Sequence, residues 1–114
     1  MTSPLYPCLW FDGKAAEAAD FYCGIFPNSK LINQNPIVTI FELNGAKFLA
    51  LNGGPNYTFS EAISYVIECE TQDEIDFYWT RLTEGGEEGK CGWLKDKFGL
   101  SWQVVPKLLG TLMR

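Results

Sequence analysis

The carboxylates are the side chains of this sequence that could do the widest range of chemistry. Glu42, Glu61, Glu68 and Glu70 lie on or near runs with strand character, and carboxylates can bind a divalent cation or transfer a proton. Nothing in their spacing places two of them together, so no paired acid/base site is predicted. The acidic residues around positions 68–76 crowd the start of a predicted helix, where negative charge favours the helix dipole.

Histidine is absent from all 114 residues. Its absence excludes Ser-His and Cys-His nucleophile arrangements and every His-bearing metal site. Cys8 has no base near it in any readable pattern, so we interpret it as a buried strand thiol. The four cysteines show no CxxC spacing. Together with an N-terminus that lacks the pattern of a secretory signal, they predict reduced thiols and a cytoplasmic location.

The charge balance and the glycine pattern argue against several partner classes. The formal net charge is −5 and the basic residues are scattered, so neither nucleic acid nor an anionic membrane surface is predicted as a partner. No run of about 18 apolar residues could span a membrane. Asn52–Pro55 leads into a loop rather than a helix, and GxGxxG does not occur. Neither a phosphate loop nor a dinucleotide or S-adenosylmethionine site is therefore predicted.

The elements that must position any site begin with a strand, a helix and two further strands. PLYPCLWF has strand character, Asp12-Gly13 fits an N-cap and turn, and the apolar positions from Ala18 to Phe26 follow helical spacing. IVTIFEL and KFLALN flank Asn44-Gly45, which is a strong hairpin signal. The run GGP at Gly53–Pro55 ends this part of the chain.

The second half of the chain repeats this order. ISYVIEC is a strand, Thr71 and Glu74 match a capping box, and residues 75–82 follow the spacing of a helix with one buried face. CGWLKD and LSWQVV are predicted strands on either side of a turn at 97–99. We interpret Glu87-Glu88 as a solvated turn.

The tripeptide Asp-Phe-Tyr marks the repeat, since it occurs at 20–22 and again at 76–78. Gly45 and Gly99, in the two predicted turns, show nearly the same offset. Each half offers one apolar helix face and one small sheet, which is too little to be stable alone. The sequence therefore predicts a single α+β domain of two similar modules, about 1–55 and about 60–107. Two such sheets side by side would form a cleft suited to a small ligand.

A family resemblance is carried by five stretches: PCLWFDGKAAEAADFY, IFPNSK, FELNGAKFLALNGGP, CETQDEIDFYW and GGEEGKCGWLKDKFGLSWQVVP. With them the chain resembles the PhnB-like group of the vicinal oxygen chelate superfamily, the glyoxalase/bleomycin-resistance fold. Members of that group are often labelled 3-demethylubiquinone-9 3-methyltransferase domain. The resemblance implies two βαβββ modules in a paired-sheet half-barrel, and a homodimer. The segment LINQN is shorter than the Gly-rich segment usual in the group.

The resemblance also implies where a metal ion would bind. Classic enzymes of the superfamily hold a divalent metal with His and Glu from the first and last strand of each module. In this sequence those positions fall near Pro7, Leu49 (or Ala50), Ser64 and Gln103. None of these is a carboxylate, imidazole or thiolate, so we predict no metal and no cofactor.

Strand alternation from these positions predicts the residues that line the cleft. The predicted ligand-binding residues are Leu9, Phe11, Leu49, Ser64, Glu68, Trp93, Ser101 and Gln103. Such a lining is apolar with a few hydrogen-bonding groups and suits a small aromatic or amphipathic molecule. No catalytic residue is predicted, and alternation favours the helix side for Trp102.

The residues leave several functions open. The leading hypothesis is a metal-free domain that binds a small, partly apolar molecule. The alternatives are a metal-dependent lyase, isomerase or dioxygenase that uses Glu42 and Glu68, and a structural module with a filled cleft. The methyltransferase of the family label is a further alternative, for which no motif is present.

Overall fold

The computed structural model describes residues 5–107, and the chain divides into two compact units, Met1–Thr58 and Phe59–Arg114. Within residues 5–107 each unit has one helix and one four-stranded sheet, as predicted for an α+β fold of two modules. The elements of the first unit are β1 (Cys8–Phe11), α1 (Ala15–Cys23), β2 (Lys30–Gln34), β3 (Val38–Leu43) and β4 (Ala46–Asn52). Those of the second are β5 (Tyr65–Cys69), α2 (Gln72–Thr83), β6 (Glu87–Glu88), β7 (Trp93–Lys95) and β8 (Ser101–Pro106).

The two sheets have equivalent strand orders. The first is β1-β4-β3-β2 and the second is β5-β8-β7-β6. In each sheet the first and last strands of the unit are parallel neighbours, with Cys8 opposite Leu49 and Val66 opposite Gln103, while the other pairs are antiparallel. The matching orders confirm the repeat that the Asp-Phe-Tyr tripeptides indicate.

Three stacked aromatic rings form the centre of the first unit. Tyr22 of α1, Phe41 of β3 and Phe48 of β4 are buried, with ring centroids 6.3 Å and 5.4 Å apart along the stack. Large aromatic side chains contribute much of the apolar area that a small core can bury. Ala18 and Ile25 are buried beside them, so the predicted apolar face from Ala18 onward is confirmed.

The start of α1 differs from the prediction. The helix begins at Ala15, and its N-cap position is Lys14, whose side chain makes no capping hydrogen bond. The predicted cap at Asp12-Gly13 is therefore wrong. Instead, Asn52 Oδ1 accepts a hydrogen bond from the Ala15 backbone N–H at 2.8 Å, and Asn52 Nδ2 donates to the Pro36 carbonyl at 3.0 Å. The cap comes from the end of β4, beyond the reach of a local pattern.

Two predicted turn and cap signals are confirmed. Asn44 and Gly45 have φ values of 52° and 86°, which is the backbone of a two-residue hairpin between β3 and β4. Thr71 Oγ1 accepts a hydrogen bond from the Glu74 backbone N–H, and the Glu74 carboxylate accepts one from the Thr71 backbone N–H, both at 3.2 Å. This capping box fixes the first turn of α2.

Two short strands escape the sequence prediction. The segment LINQN lies almost entirely in β2, all of whose residues are exposed. Glu87-Glu88 is strand β6 rather than a solvated turn, since both residues pair with β7. The predicted first strand starts at Pro4, which lies outside the described residues, and the observed strand starts at Cys8. Within residues 5–107, neither helix has the length and apolar character needed to cross a membrane.

Candidate functional site

Alternation along β5, β7 and β8 divides the second sheet into two faces. One face belongs to the core, where Leu94, Trp102 and Val104 are buried, so the predicted position of Trp102 is confirmed. We call the opposite face, which the register and the alternation of side chains define, the site face. Its residues are Ser64, Val66, Glu68, Trp93, Lys95, Ser101, Gln103 and Val105.

The site face brings together five of the residues predicted to bind a ligand. Gln103 lies opposite Trp93 on β7 and opposite Val66 on β5, and Ser101 lies opposite Lys95. Val66 is 56% exposed, Glu68 is exposed, and Trp93 and Gln103 are half-buried. An exposed aliphatic side chain beside an indole and an amide gives the face both apolar and hydrogen-bonding character.

A hydrogen bond between two neutral side chains joins β8 to the segment before β5. Gln103 Nε2 donates to Ser64 Oγ at 3.0 Å. These are the two positions at which the family resemblance implies metal ligands in the second module. With this bond made, the Gln103 carbonyl oxygen keeps acceptor capacity and the Ser64 hydroxyl keeps its hydrogen to donate. The pair therefore presents one acceptor and one donor to a neighbouring molecule.

A buried carboxylate fixes the turn that leads into β8. Asp96 is 3% exposed, and it accepts hydrogen bonds from the backbone N–H groups of Phe98 and Leu100 at 2.8 Å and 3.1 Å. Its second oxygen accepts from Trp102 Nε1 at 2.9 Å. Hydrogen bonds to a buried ionised group are among the stronger ones in proteins. Because this turn directly precedes Ser101, it sets the position of the site-face residues of β8.

A pocket of about 170 Å³ opens beside β6, β7 and β8. Its walls include three carboxylates, one ammonium, an indole and a hydroxyl, from Glu61, Glu87, Glu88, Lys95, Trp93 and Ser101. Lys95 Nζ forms an ion pair with a Glu61 carboxylate oxygen. The hydrogen bond from Lys95, and secondarily its charge, lower the pKa of Glu61, and the same contact raises the pKa of Lys95.

In the first sheet, part of the predicted ligand-binding lining is wrong. Leu9 lies opposite Ala50 in the parallel pairing of β1 with β4, whereas Leu49 lies opposite Cys8. Leu9 and Phe11 are 5% and 4% exposed, on the core face of the sheet, and Leu49 is half-buried on the other face. The expectation that all three share one face is wrong, because the strand pairing offsets β1 by one residue from the assumed alignment.

Trp10 is held in one position on the face of the first sheet opposite Leu9 and Phe11. Its Nε1 donates to the Gly54 carbonyl at 2.9 Å, and its ring meets the Tyr57 ring edge-on at 4.9 Å. A side chain at Gly53 would overlap the Trp10 indole, so glycine is required there for close approach. The loop after β4 is thereby fixed to β1.

The donor set at the implied metal positions does not fit a divalent cation. In the first module the pair reduces to a backbone contact, in which Leu49 N–H donates to the Pro7 carbonyl at 3.0 Å. In the second module it is the neutral Ser64–Gln103 pair. Hard dications prefer several charged or carbonyl oxygens that converge. Within residues 5–107 no group of three or more His, Cys, Asp or Glu side chains could hold a metal ion.

The thiols show no sign of activation. All four cysteines are free. Burial raises the pKa of Cys8, of Cys23 and of Cys69, and for Cys23 and Cys69 a neighbouring carboxylate raises it further. A catalytic thiol needs the opposite shift, toward the thiolate. Cys8 is exposed rather than buried as predicted, but its environment gives it no base.

A family model described as 3-demethylubiquinone-9 3-methyltransferase matches residues 3–105. The chain belongs to this family. No curated protein matches it. Among solved structures, it is similar to a PhnB protein from Bacillus cereus of the 3-demethylubiquinone-9 3-methyltransferase kind, with 30% identity and a TM-score of 0.78 over 90% of this chain and 99% of the other.

This family member is also similar to more distant solved structures, which have the glyoxalase/bleomycin-resistance fold. Protein PA1353 from Pseudomonas aeruginosa is 17% identical, with a TM-score of 0.72 over 92% of this chain and 98% of the other. The fosfomycin resistance protein FosX from Listeria monocytogenes, solved with Mn(II) and sulfate, is 15% identical, with a TM-score of 0.70 over 100% and 98%. At these identities the likeness shows the fold alone.

The sequence prediction misses the four charged residues of the pocket on the second unit. Glu61 precedes β5 in an irregular segment, and Glu87 and Glu88 form a strand of two residues. Lys95 could have been found, because it stands two positions after Trp93 and therefore on the same face. For the three glutamates no local pattern gives a signal.

Proposed function

We propose that this chain binds a small, partly apolar molecule on the site face of its second unit, without a metal ion. The hydrogen bond between Ser64 and Gln103 carries the proposal. It places a neutral amide and hydroxyl where the metal-dependent members of the superfamily are expected to have charged ligands. Beside this pair, the exposed Val66 and the half-buried Trp93 offer apolar surface.

Each residue has a distinct part in the proposed binding. Gln103 and Ser64 orient a polar group of the ligand through their remaining acceptor and donor. Val66 and Trp93 contact its apolar part, and burial of that part supplies most of the affinity. Glu68 lies opposite Val105 on the same face and can accept a hydrogen bond at its edge.

Methyl transfer is not included in the proposal, although the family description names it. The chain contains no glycine-rich nucleotide motif, and an amide such as Gln103 exchanges no proton near neutral pH. Binding therefore explains the site face better than a reaction does.

We also propose a homodimer in the cytoplasm. The dimer rests on the family resemblance and on the exposed apolar residues Leu31 and Ile32 of edge strand β2, which are 43% and 49% exposed. Edge strands with apolar side chains are prone to pair with another chain. The location rests on the four free cysteines. Sedimentation equilibrium of the purified chain tests the dimer, and a monomer at about 100 μM contradicts it.

Native mass spectrometry of freshly purified protein tests the binding proposal. We expect a co-purified organic molecule whose occupancy falls in Gln103→Ala but not in the matched control Gln72→Ala, an exposed position in α2. The same sample, incubated with Mn²⁺ or Zn²⁺ and analysed by elemental mass spectrometry, is expected to retain less than stoichiometric metal. Stoichiometric metal that is lost in Glu68→Ala would instead support an enzyme of the metal-dependent kind.

A further inference from the structure

The pocket beside β6, β7 and β8 has a charge that the proposed function leaves unexplained. Three carboxylates and one ammonium line it, which leaves a net charge of −2. The ammonium of Lys95 is paired with Glu61, and Glu87, which lies opposite Lys95, acts on the same ammonium, so the three carboxylates share one cation. Such a pocket repels anions and attracts cations, since opposite charges at short range favour each other.

The pocket also contains a buried hydroxyl that lacks a partner. Ser101 is 1% exposed, and its Oγ has no hydrogen-bond partner among the described residues 5–107. A buried polar atom without a hydrogen bond costs free energy, and native structures contain few of them. Because Ser101 lines the pocket, a ligand with an N–H group could supply the missing bond. This observation is independent of the acidic side chains.

Two glycines let the acidic wall approach β7 closely. A side chain at Gly86 would overlap the backbone of Lys95 and Asp96, and one at Gly89 would lie 2.8 Å from the Trp93 carbonyl oxygen. The Gly89 N–H also donates to that carbonyl at 2.8 Å. The glycines thus hold β6 close against β7, with Glu87 opposite Lys95 and Glu88 opposite Leu94, and the pocket is a built feature of the sheet edge.

We propose that this pocket binds a small primary amine in its ammonium form, with the apolar part of the amine packed against Trp93. The inference rests on the proposed function, because the pocket belongs to the same site face, and it specifies the class of ligand. An ammonium group has three donors and no acceptor, which matches the acceptor lone pairs of Ser101 and the carboxylate of Glu87, the β6 residue on the face of Lys95.

Size and geometry restrict the ligand further. A pocket of about 170 Å³ is smaller than the roughly 300–1,000 Å³ of sites for drug-sized molecules. The carboxylates do not converge as a metal site would require, since residues 5–107 contain no group of three possible ligands. A flat indole, in contrast, suits both an apolar group and a cation that approaches its face. A monoamine with one ring or a short alkyl chain meets these conditions.

A titration of the full chain with three probes of equal shape tests the inference. Benzylamine, benzyl alcohol and benzoate are added at neutral pH and low salt to ¹⁵N-labelled protein, and the indole N–H signal of Trp93 is followed by NMR. We expect benzylamine to bind roughly fivefold more tightly than benzyl alcohol, because two exposed carboxylates each contribute modestly. Benzoate is expected to bind more weakly than both.

Matched variants test the contributions of the Glu87 carboxylate and the Ser101 hydroxyl separately. Glu87→Gln is expected to weaken benzylamine binding about threefold and to leave benzyl alcohol unchanged, whereas Asp73→Asn, which removes one charge outside the pocket, changes neither. Ser101→Ala is expected to weaken benzylamine binding about threefold. It should not lower the Tm, because the hydroxyl it removes has no partner within the described part of the protein.

Three results would overturn the inference. They are equal binding of benzylamine and benzyl alcohol, no saturable binding of benzylamine, and an unchanged benzylamine affinity in both Glu87→Gln and Ser101→Ala. Equal binding of the two probes leaves the proposed function intact, because an apolar ligand still occupies the site face. The proposed function fails separately, when Gln103→Ala has no effect on the co-purified molecule.

Discussion

Replacing Asp96 with asparagine probes how the site face is held in place. The buried Asp96 carboxylate accepts from the N–H groups of Phe98 and Leu100 with one oxygen and from Trp102 Nε1 with the other. Asparagine keeps one carbonyl oxygen for the two backbone donors. Its NH₂ group then faces the Trp102 indole N–H, so a donor meets a donor where an acceptor is required.

The expected loss of stability follows from the hydrogen bonds that are lost or weakened. A hydrogen bond to a charged group contributes about 1.5–3 kcal/mol, and a buried donor that loses its acceptor costs about 1–3 kcal/mol. The bonds to Phe98 and Leu100 also weaken when the acceptor becomes neutral. We therefore expect Asp96→Asn to lower the free energy of unfolding by about 2–4 kcal/mol, which is a large part of the stability of a small domain.

A double-mutant cycle isolates the bond to the indole. In a Trp102→Phe background the indole N–H is absent, so Asp96→Asn should cost about 1–2 kcal/mol less than in the wild type. Urea unfolding, followed by far-UV circular dichroism, gives the four free energies. Asp12→Asn, at an exposed position, serves as control and should stay within about 0.5 kcal/mol of wild type. A coupling energy below about 0.3 kcal/mol refutes the view that the Asp96–Trp102 bond holds the turn.

Three further outcomes follow from contacts elsewhere in the chain. Gly53→Ala should lower the free energy of unfolding by about 1–3 kcal/mol, because the new Cβ overlaps Trp10; a neutral effect in urea unfolding would contradict the close packing. The bond from Lys95 lowers the pKa of Glu61 below its ordinary 4.5, so the stabilisation it gives is present above that pH and is lost as the pH falls through the lowered pKa. Glu61→Gln should accordingly flatten the acid side of the Tm-against-pH curve, and an unchanged curve counts against the pair. Exposed Cys91 should react with Ellman's reagent faster than half-buried Cys23 and buried Cys69, whose pKa values burial raises; equal rates would show that burial does not control reactivity.

The repeated order of elements could be predicted because its signals are local. The hairpin at Asn44-Gly45 and the capping box of Thr71 and Glu74 each lie within four residues, and apolar spacing identifies both helices. The cap of α1 could not be predicted, because Asn52 supplies it from 37 residues away. Strand β2 was missed because all five of its residues are exposed, so it has no buried periodicity.

The candidate site was predictable where one strand determines a face. Alternation along β8 correctly places Ser101 and Gln103 together and Trp102 on the opposite side. It fails for Leu9 and Phe11, because their face relative to Leu49 depends on how β1 aligns with β4. A shift of one residue between paired strands exchanges the two faces, and no residue in β1 alone reveals that alignment.

The parallel pairing of β1 with β4 has a consequence for synthesis of the chain on the ribosome. Cys8 pairs with Leu49, which lies 41 positions later in the chain. The first strand therefore leaves the ribosome long before the strand with which it pairs. Contacts this distant in sequence slow folding, and a nascent edge left open invites association with neighbouring chains. Once Asn52 has emerged, the amino-terminal unit has every strand of its sheet, while its carboxy-terminal counterpart is still being translated.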